Sequence, residues 1–309
     1  MAENELGGVA DATQAPAPLT EKISGDKVKD IVAAIKEATD MPAFRLVIDP
    51  DRTPTLTETK FGGLPYWPVG QAYPRTPKGS PLMLLAQLDL ADFGGDTRLP
   101  DHGLLQFFID AEDDCSGMDF DDSTNQSGFR VVWHQEVDAS VTAEQVEALD
   151  IPTSRMGLDE DYLGNPLAGE FALHVEPTIC GMTIADGRFD KVFVDCCESL
   201  FGKEFVGGRT SCWDLLEDED VDRLFDELKT PEPAHLVLGY PFFTQNDPRL
   251  GALMDEFDTL LLQIDSEGEP GSNRDRIIWG DVGIGGFFVN SEALRRGDFS
   301  RVLFNWDCY

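Results

Sequence analysis

The sequence predicts an α+β protein, β-rich, in which mainly antiparallel sheets come from two duplicated halves and a few helices pack outside them. A set of strand motifs occurs twice in the same order, and two stretches carry the period of an amphipathic helix. The chain has 309 residues, is 41% hydrophobic and contains 20 phenylalanines, enough to bury about three quarters of its unfolded surface.

Residues 1–20, mostly Ala, Pro, Glu and Thr, have little to bury and are expected to form a mobile tail, leaving 21–309 as one domain. Val28, Ile31, Val32 and Ile35 fall on one helical face, so 24–38 reads as a helix capped by Ser24 or Asp26. Phe44–Ile48 reads as a strand closed by Asp49-Pro50. The first repeat follows: Gly63-Leu-Pro-Tyr-Trp67, Leu84-Leu-Ala-Gln-Leu-Asp89, then Gly103-Leu-Leu-Gln-Phe-Phe-Ile-Asp110. Its second writing is Gly239-Tyr-Pro-Phe-Phe243, Leu260-Leu-Leu-Gln-Ile-Asp265 and Gly283-Ile-Gly-Gly-Phe-Phe-Val-Asn290, at offsets of 176, 176 and 180. Internal duplication over about 60–110 and 236–290 is the simplest account, against two coincidentally similar strand clusters. Gln87 and Gln263 interrupt apolar runs, so each must hydrogen-bond a neighbouring backbone or its counterpart across a pseudo-twofold axis.

Between the repeats, Asp110, Glu112, Asp113, Asp114, Asp119, Asp121 and Asp122 form an acid-dense loop. An EF-hand calcium loop needs glycine sixth and glutamate twelfth; counted from Asp110 these positions hold Cys115 and Asp121, so the loop reads as solvated and no metal is expected. Phe129–His134 reads as a strand, 142–149 as a short helix, 150–169 as turn-rich, and Phe171–Val175 as a strand. His174 with Cys180, Cys196 or Cys197 lacks any metal or thiol-imidazole spacing and reads as a core histidine among inert thiols. From Ser211 to Lys229, Val221, Leu224, Phe225 and Leu228 form the buried stripe of a helix whose water side is acidic. The loop Thr244-Gln-Asn-Asp-Pro-Arg249 can hold a ligand, or brace itself through Asx-turns and an Asp247–Arg249 pair. The glycines of Gly283-Ile-Gly-Gly286 run into a strand, not a helix, which excludes a dinucleotide fingerprint, and Val302–Trp306 reads as a closing strand.

Lys60-Phe-Gly-Gly-Leu-Pro-Tyr-Trp-Pro68, Leu85-Ala-Gln-Leu-Asp89, Gly239-Tyr-Pro-Phe-Phe-Thr-Gln-Asn-Asp-Pro-Arg249, Trp279-Gly-Asp-Val-Gly283 and Asp298-Phe-Ser-Arg-Val-Leu-Phe-Asn-Trp-Asp307 together resemble the YwqG-like family, a bacterial domain of unknown function. The resemblance is specific over about 60–110 and 236–307. It implies no catalytic residues to carry over and suggests an immunity or partner-binding protein; no cofactor is expected.

Charge bounds the partners. Fifty-eight acids against 24 bases give a net charge of −34, which repels phosphate backbones and anionic lipid heads, so neither nucleic acid nor membrane is expected as a partner. The same field would steer in a basic protein, or would serve solubility alone. Six cysteines without a CxxC read as reduced thiols, and with no signal-peptide pattern or long apolar run the expected location is cytoplasmic. The expected function is non-catalytic binding, of a basic protein in particular. The alternative is an enzyme or small-ligand binder using a cleft between the halves. Trp67, Gln87, Tyr240, Gln245, Asp247, Arg249, Gln263, Trp279 and Asp281 are the candidate binding residues of that cleft.

Overall fold

Both writings of the motif become runs of neighbouring strands in a computed structural model of the chain, which describes residues 21–154, 164–230 and 232–309. The tail expected over 1–20 lies outside the described residues, as does 155–163 of the turn-rich stretch. In chain order the strands of the main sheet are β1 (Met41–Asp49), β2 (Lys60–Phe61), β3 (Met83–Asp89), β4 (Leu104–Ile109), β5 (Phe129–His134) and β6 (Phe171–Cys180). The second half supplies β7 (Leu236–Val237), β8 (Thr259–Asp265), β11 (Ile284–Val289) and β12 (Leu303–Asp307), while β9 (Glu267–Gly268) and β10 (Asp275–Ile277) make a separate ribbon. The helices are α1 (Asp26–Thr39), α2 (Ala143–Glu147), α3 (Phe189–Phe201), α4 (Lys203–Val206), α5 (Cys212–Leu215), α6 (Asp218–Leu228), α7 (Ala252–Glu256) and α8 (Ser291–Arg295). The protein is thus α+β and strand-rich.

Sheet order is β12-β11-β8-β7-β1-β6-β2-β3-β4-β5, antiparallel throughout. Read outward from the central β1–β6 pair, each half of this order is one writing of the motif. The central strands are exchanged: β1 precedes the first repeat but pairs with β7 of the second, and β6 pairs with β2 of the first. Phe44 beside Val237 therefore corresponds to Phe171 beside Phe61. Extended along both strands, this correspondence maps Val47 onto His174, which are themselves cross-strand partners, so the exchange centres there.

Strand alternation divides the side chains between two faces. Inside the curl, Phe107 of β4 and its counterpart Phe287 of β11 meet at a centroid distance of 5.0 Å, and Phe287 stacks on Phe304 at 4.5 Å. Phe129 of β5 lies 5.3 Å from Phe304 of β12, so the two ends of the sheet approach each other. The loop before β5 laces them together, with Ser123 accepting the Phe304 N–H and the Gln126 amide donating to the carbonyls of Phe299 and Ser300. This aromatic filling closes the interior between the halves.

Outside the curl, α1, α3, α5 and α6 cover the second half through Val28, Ile31, Phe193, Cys197, Leu215 and Val221. The first half carries only a small outer cluster under α2. Three expectations are corrected here. The helix expected over 211–229 is two helices, because Ser211 and Asp214 form a capping box for α5 and Leu216 turns extended to bridge Ile23 before α6 begins. Neither Ser24 nor Asp26 caps α1; its N-cap is Gly25, whose N–H donates to the Asp220 carboxylate of α6 at 3.2 Å. His174 is an exposed histidine 3.0 Å from Asp49, because alternation on β6 turns it to the water side. Among the described residues no helix is long and apolar enough to cross a membrane.

Candidate functional site

The two glutamines hold equivalent turns. Gln87 accepts the Tyr66 N–H at 3.0 Å and donates to the carbonyls of Glu58 and Leu56, both at 3.0 Å. Gln263 accepts the Phe242 N–H at 2.8 Å and donates to Ala234 O at 2.8 Å. Both amides bond the backbone in this way, tying the Gly-x-Pro-aromatic turn to the sheet. The turns fold over the outer face, where Trp67 packs on Phe108 and the corresponding Phe243 on Phe288, each at 5.9 Å.

This outward folding explains why the expected ring of Trp67, Tyr240 and Trp279 does not form. Trp67 belongs to the small outer cluster, Tyr240 to the helix-covered face and Trp279 to the interior. Trp279 lies over Gly285, where a Cβ would meet its ring at 2.6 Å, so the glycine run makes room for this indole. Asp281 is exposed in the loop that follows.

The structure does bring together the loop containing Gln245, Asp247 and Arg249. Asp307, ending β12, accepts the N–H groups of Thr244 and Gln245, and the Gln245 amide donates to Cys308 O at 2.8 Å. Asp247 accepts the Arg249 backbone N–H and Nε at 2.9 Å and Nη2 at 2.7 Å. Arg249 is fully buried and also reaches Asp186 at 3.2 Å, while its guanidinium lies 4.6 Å from the Phe288 ring. Burial alone would raise Asp186, but Arg188 and Arg249 hold its carboxyl below the usual range. Gly187 N–H donates to Asp247 at 2.9 Å, closing a network in which Asp186, Asp247 and Arg249 are buried and Arg188 lies at the edge. Removing Arg249 would strand Asp247 in a dry site.

This braced loop forms one wall of a groove of about 280 Å³ whose other walls are Phe189, Cys212, Trp213 and Phe225. Trp213 is 55% exposed, its ring edge-to-face with Phe225 at 5.7 Å, and Leu250 at the end of the loop is 73% exposed. Beside them α6 turns out Asp218, Glu219, Asp222, Asp226 and Glu227. On the far side of the loop, Pro248 helps line a second depression, with Asp119, Asp121, Asp122 and the 78% exposed Phe120. Sequence reading missed Trp213, Leu250 and Phe120 as surface groups. An apolar residue set among acids was the available signal for Phe120 and Trp213; Leu250 carried none.

Several groups able to do covalent or acid–base chemistry are buried. Burial pushes Cys197 up to about 12 and Cys212 up to about 11. His134 is depressed to about 4 by burial. His235 accepts the Asp265 N–H on Nδ1 at 3.0 Å, so its proton sits on Nε2 and is given to Glu267 at 3.0 Å. In the acidic loop, Asp113, Asp114 and Cys115 offer ligand atoms within 4.8 Å of one another, but burial and the neighbouring acids push the Cys115 thiol up to about 11. Asp110, Asp119 and Asp122 accept the loop's own N–H groups, Asp119 from both Asp121 and Asp122.

Fold and site together define a curled-sheet α+β protein with a self-braced loop beside an apolar, acid-flanked groove. The chain belongs to the family described as a domain of unknown function, DUF1963, whose family model matches residues 59–308. No curated protein matches the chain.

Proposed function

We propose that this is a non-catalytic, cytoplasmic binding protein that receives a basic partner protein, as an immunity protein would, in the groove between Trp213 and Leu250. The observation that carries the reading is two large apolar side chains left in water beside a helix with six acids and one arginine. Exposed apolar side chains in a groove mark contact surfaces, and a −34 chain accelerates encounter with a cationic partner. A site in the interior between the halves is disfavoured, because Phe107 and Phe287 meet there. The closer likeness to the YwqG-like family and an origin by duplication belong to the same proposal. The matched hydrogen bonds of Gln87 and Gln263 support the duplication.

The test is a low-salt pull-down from the source cell with the wild type and a Trp213→Asp, Leu250→Asp double variant. A basic protein should be retained by the wild type, released by salt and lost with the variant. Recovery of no basic protein, or equal recovery by both, overturns the proposal.

A further inference from the structure

The chain contains Asp-x-Arg three times: Asp96-Thr-Arg98, Asp186-Gly-Arg188 and Asp247-Pro-Arg249. All three fold identically. In each, one aspartate oxygen accepts the arginine's backbone N–H at 2.9 Å and its Nε, at 3.0, 2.7 and 2.9 Å. The other oxygen accepts Nη2, at 2.6, 2.5 and 2.7 Å. Each guanidinium is therefore locked along its Nε–Nη2 edge by its own aspartate, with Nη1 left over. In Arg249, which is fully buried, Nη1 turns to the Phe257 carbonyl at 3.3 Å. In Arg98 and Arg188 it has no protein acceptor among the described residues, and about a third of each side chain is exposed.

Both of these arginines open into one cavity of about 190 Å³, lined also by Arg295, Tyr240, Ser291 and Asp258. Arg98 comes from the first half and Arg295 from α8 of the second, so the cavity lies where the halves join. The Tyr240 ring backs the Arg188 guanidinium at 5.4 Å. The wall carboxylate, Asp258, is engaged by the Ser291 N–H and hydroxyl at 2.7 and 2.8 Å and by Thr259 at 2.9 Å. Arg295 has no ion pair among the described residues. Three arginines around one small cavity stand against a chain in which acids outnumber bases 58 to 24. Leu238, also on the wall, holds a left-handed backbone (φ 65°), where the first repeat has Gly62 (φ 62°); such strain concentrates at binding sites.

We propose that this cavity binds a small oxyanion-bearing molecule, a carboxylate or a phosphate ester, between the free guanidinium edges of Arg98 and Arg188, with Arg295 closing the rim. A guanidinium oriented beforehand loses little freedom when it meets an oxyanion, and paired N–H donors match carboxylate and phosphate geometry. The volume lies below that of sites for drug-sized ligands, which selects a small molecule over a nucleotide. The cavity is distinct from the groove at Trp213, so this inference stands apart from the proposed partner.

Calorimetric titration with inorganic phosphate, succinate and glycerol 3-phosphate, at constant ionic strength, tests it. At least one should bind saturably at a single site. Arg295→Glu, an exposed change, should weaken that binding tenfold or more while leaving the ligand-free melting temperature unchanged. Arg188→Lys keeps the charge but loses the fork, and should weaken it as well. The Trp213→Asp variant should bind like the wild type, separating this site from the groove. No saturable heat with any of the three anions into the millimolar range overturns the proposal, as does unaltered affinity in both arginine variants.

Discussion

Lowering the pH from 7 to 5 should destabilise this protein through His134. The ring is 7% exposed, and Trp67 and Tyr66 meet it edge-on at 5.0 and 5.3 Å. Its protonation is set by a chain of amides. Gln106 donates to Gln87 Oε1 at 2.8 Å and to Tyr66 O at 2.7 Å, so its own Oε1 must accept from His134 Nε2 at 2.9 Å. A second proton on the ring would be charged in a nearly dry site, and burial depresses the value to about 4. The unfolded chain, titrating near the ordinary value of about 6.5, binds the proton first, so stability is full above that value and falls as pH drops towards 4. Those two values give a loss of about 2 kcal/mol between pH 7 and pH 5, approaching roughly 3 kcal/mol at pH 4. Urea unfolding of the wild type and His134→Gln at pH 7, 6 and 5 isolates the effect, because the carboxylates and other histidines are common to both. The wild type should lose about 2 kcal/mol relative to the variant over that range; a stability difference that does not change with pH refutes the reasoning.

Three further outcomes follow from the same geometry. Arg249→Met strands Asp247 and weakens the hold on Asp186, and should cost about 3–5 kcal/mol in urea unfolding, far more than removing an exposed pair such as Lys29–Asp26. Gln263→Leu leaves the Phe242 N–H and the Ala234 carbonyl unpaired and should cost about 1–3 kcal/mol; Gln87→Leu should cost more, because it also strips the Gln106 amide of a partner. Thiol labelling of the native protein near neutral pH should begin at Cys308, which is partly exposed, while Cys197 and Cys212 react only at the rate of unfolding.

How far the sequence was legible depended on whether a feature was local. Gln87 and Gln263 were informative because an amide inside an apolar run has to be satisfied nearby, and the turns that satisfy them lie within about thirty residues of each. Helix α1 was legible from its stripe for the same reason. Helix α3 went unread although Phe189, Phe193, Cys196 and Cys197 mark its buried face, because cysteines were weighed for chemistry rather than counted as small hydrophobes. The expected ring of Trp67, Tyr240 and Trp279 did not form because repeated motifs show that two halves are alike without showing which faces meet; here the interior faces meet, at Phe107 and Phe287, and the opening between the halves lies at Arg98, Tyr240 and Arg295. The Asp-x-Arg motif was visible three times, yet only Asp247 and Arg249 were singled out. Nothing local distinguishes a buried brace from an open one: the difference is Nη1 reaching Phe257 O or not.

The exchange of β1 and β6 changes what counts as a half. The family match begins at residue 59, after β1, yet β1 holds a central place in the sheet, paired over nine residues with β6 and on its other side with β7. A repeat taken alone, β2 to β5 or β7 to β12, would present its first strand as an open edge, since the strand that covers it precedes the other repeat in the chain. Stability is therefore common to the two halves rather than summed over them. The cavity at Arg98 and Arg188 follows from that arrangement: it takes one wall from the first repeat, one from the segment before α3 and one from α8, and so exists only once both halves have closed on the β1–β6 pair.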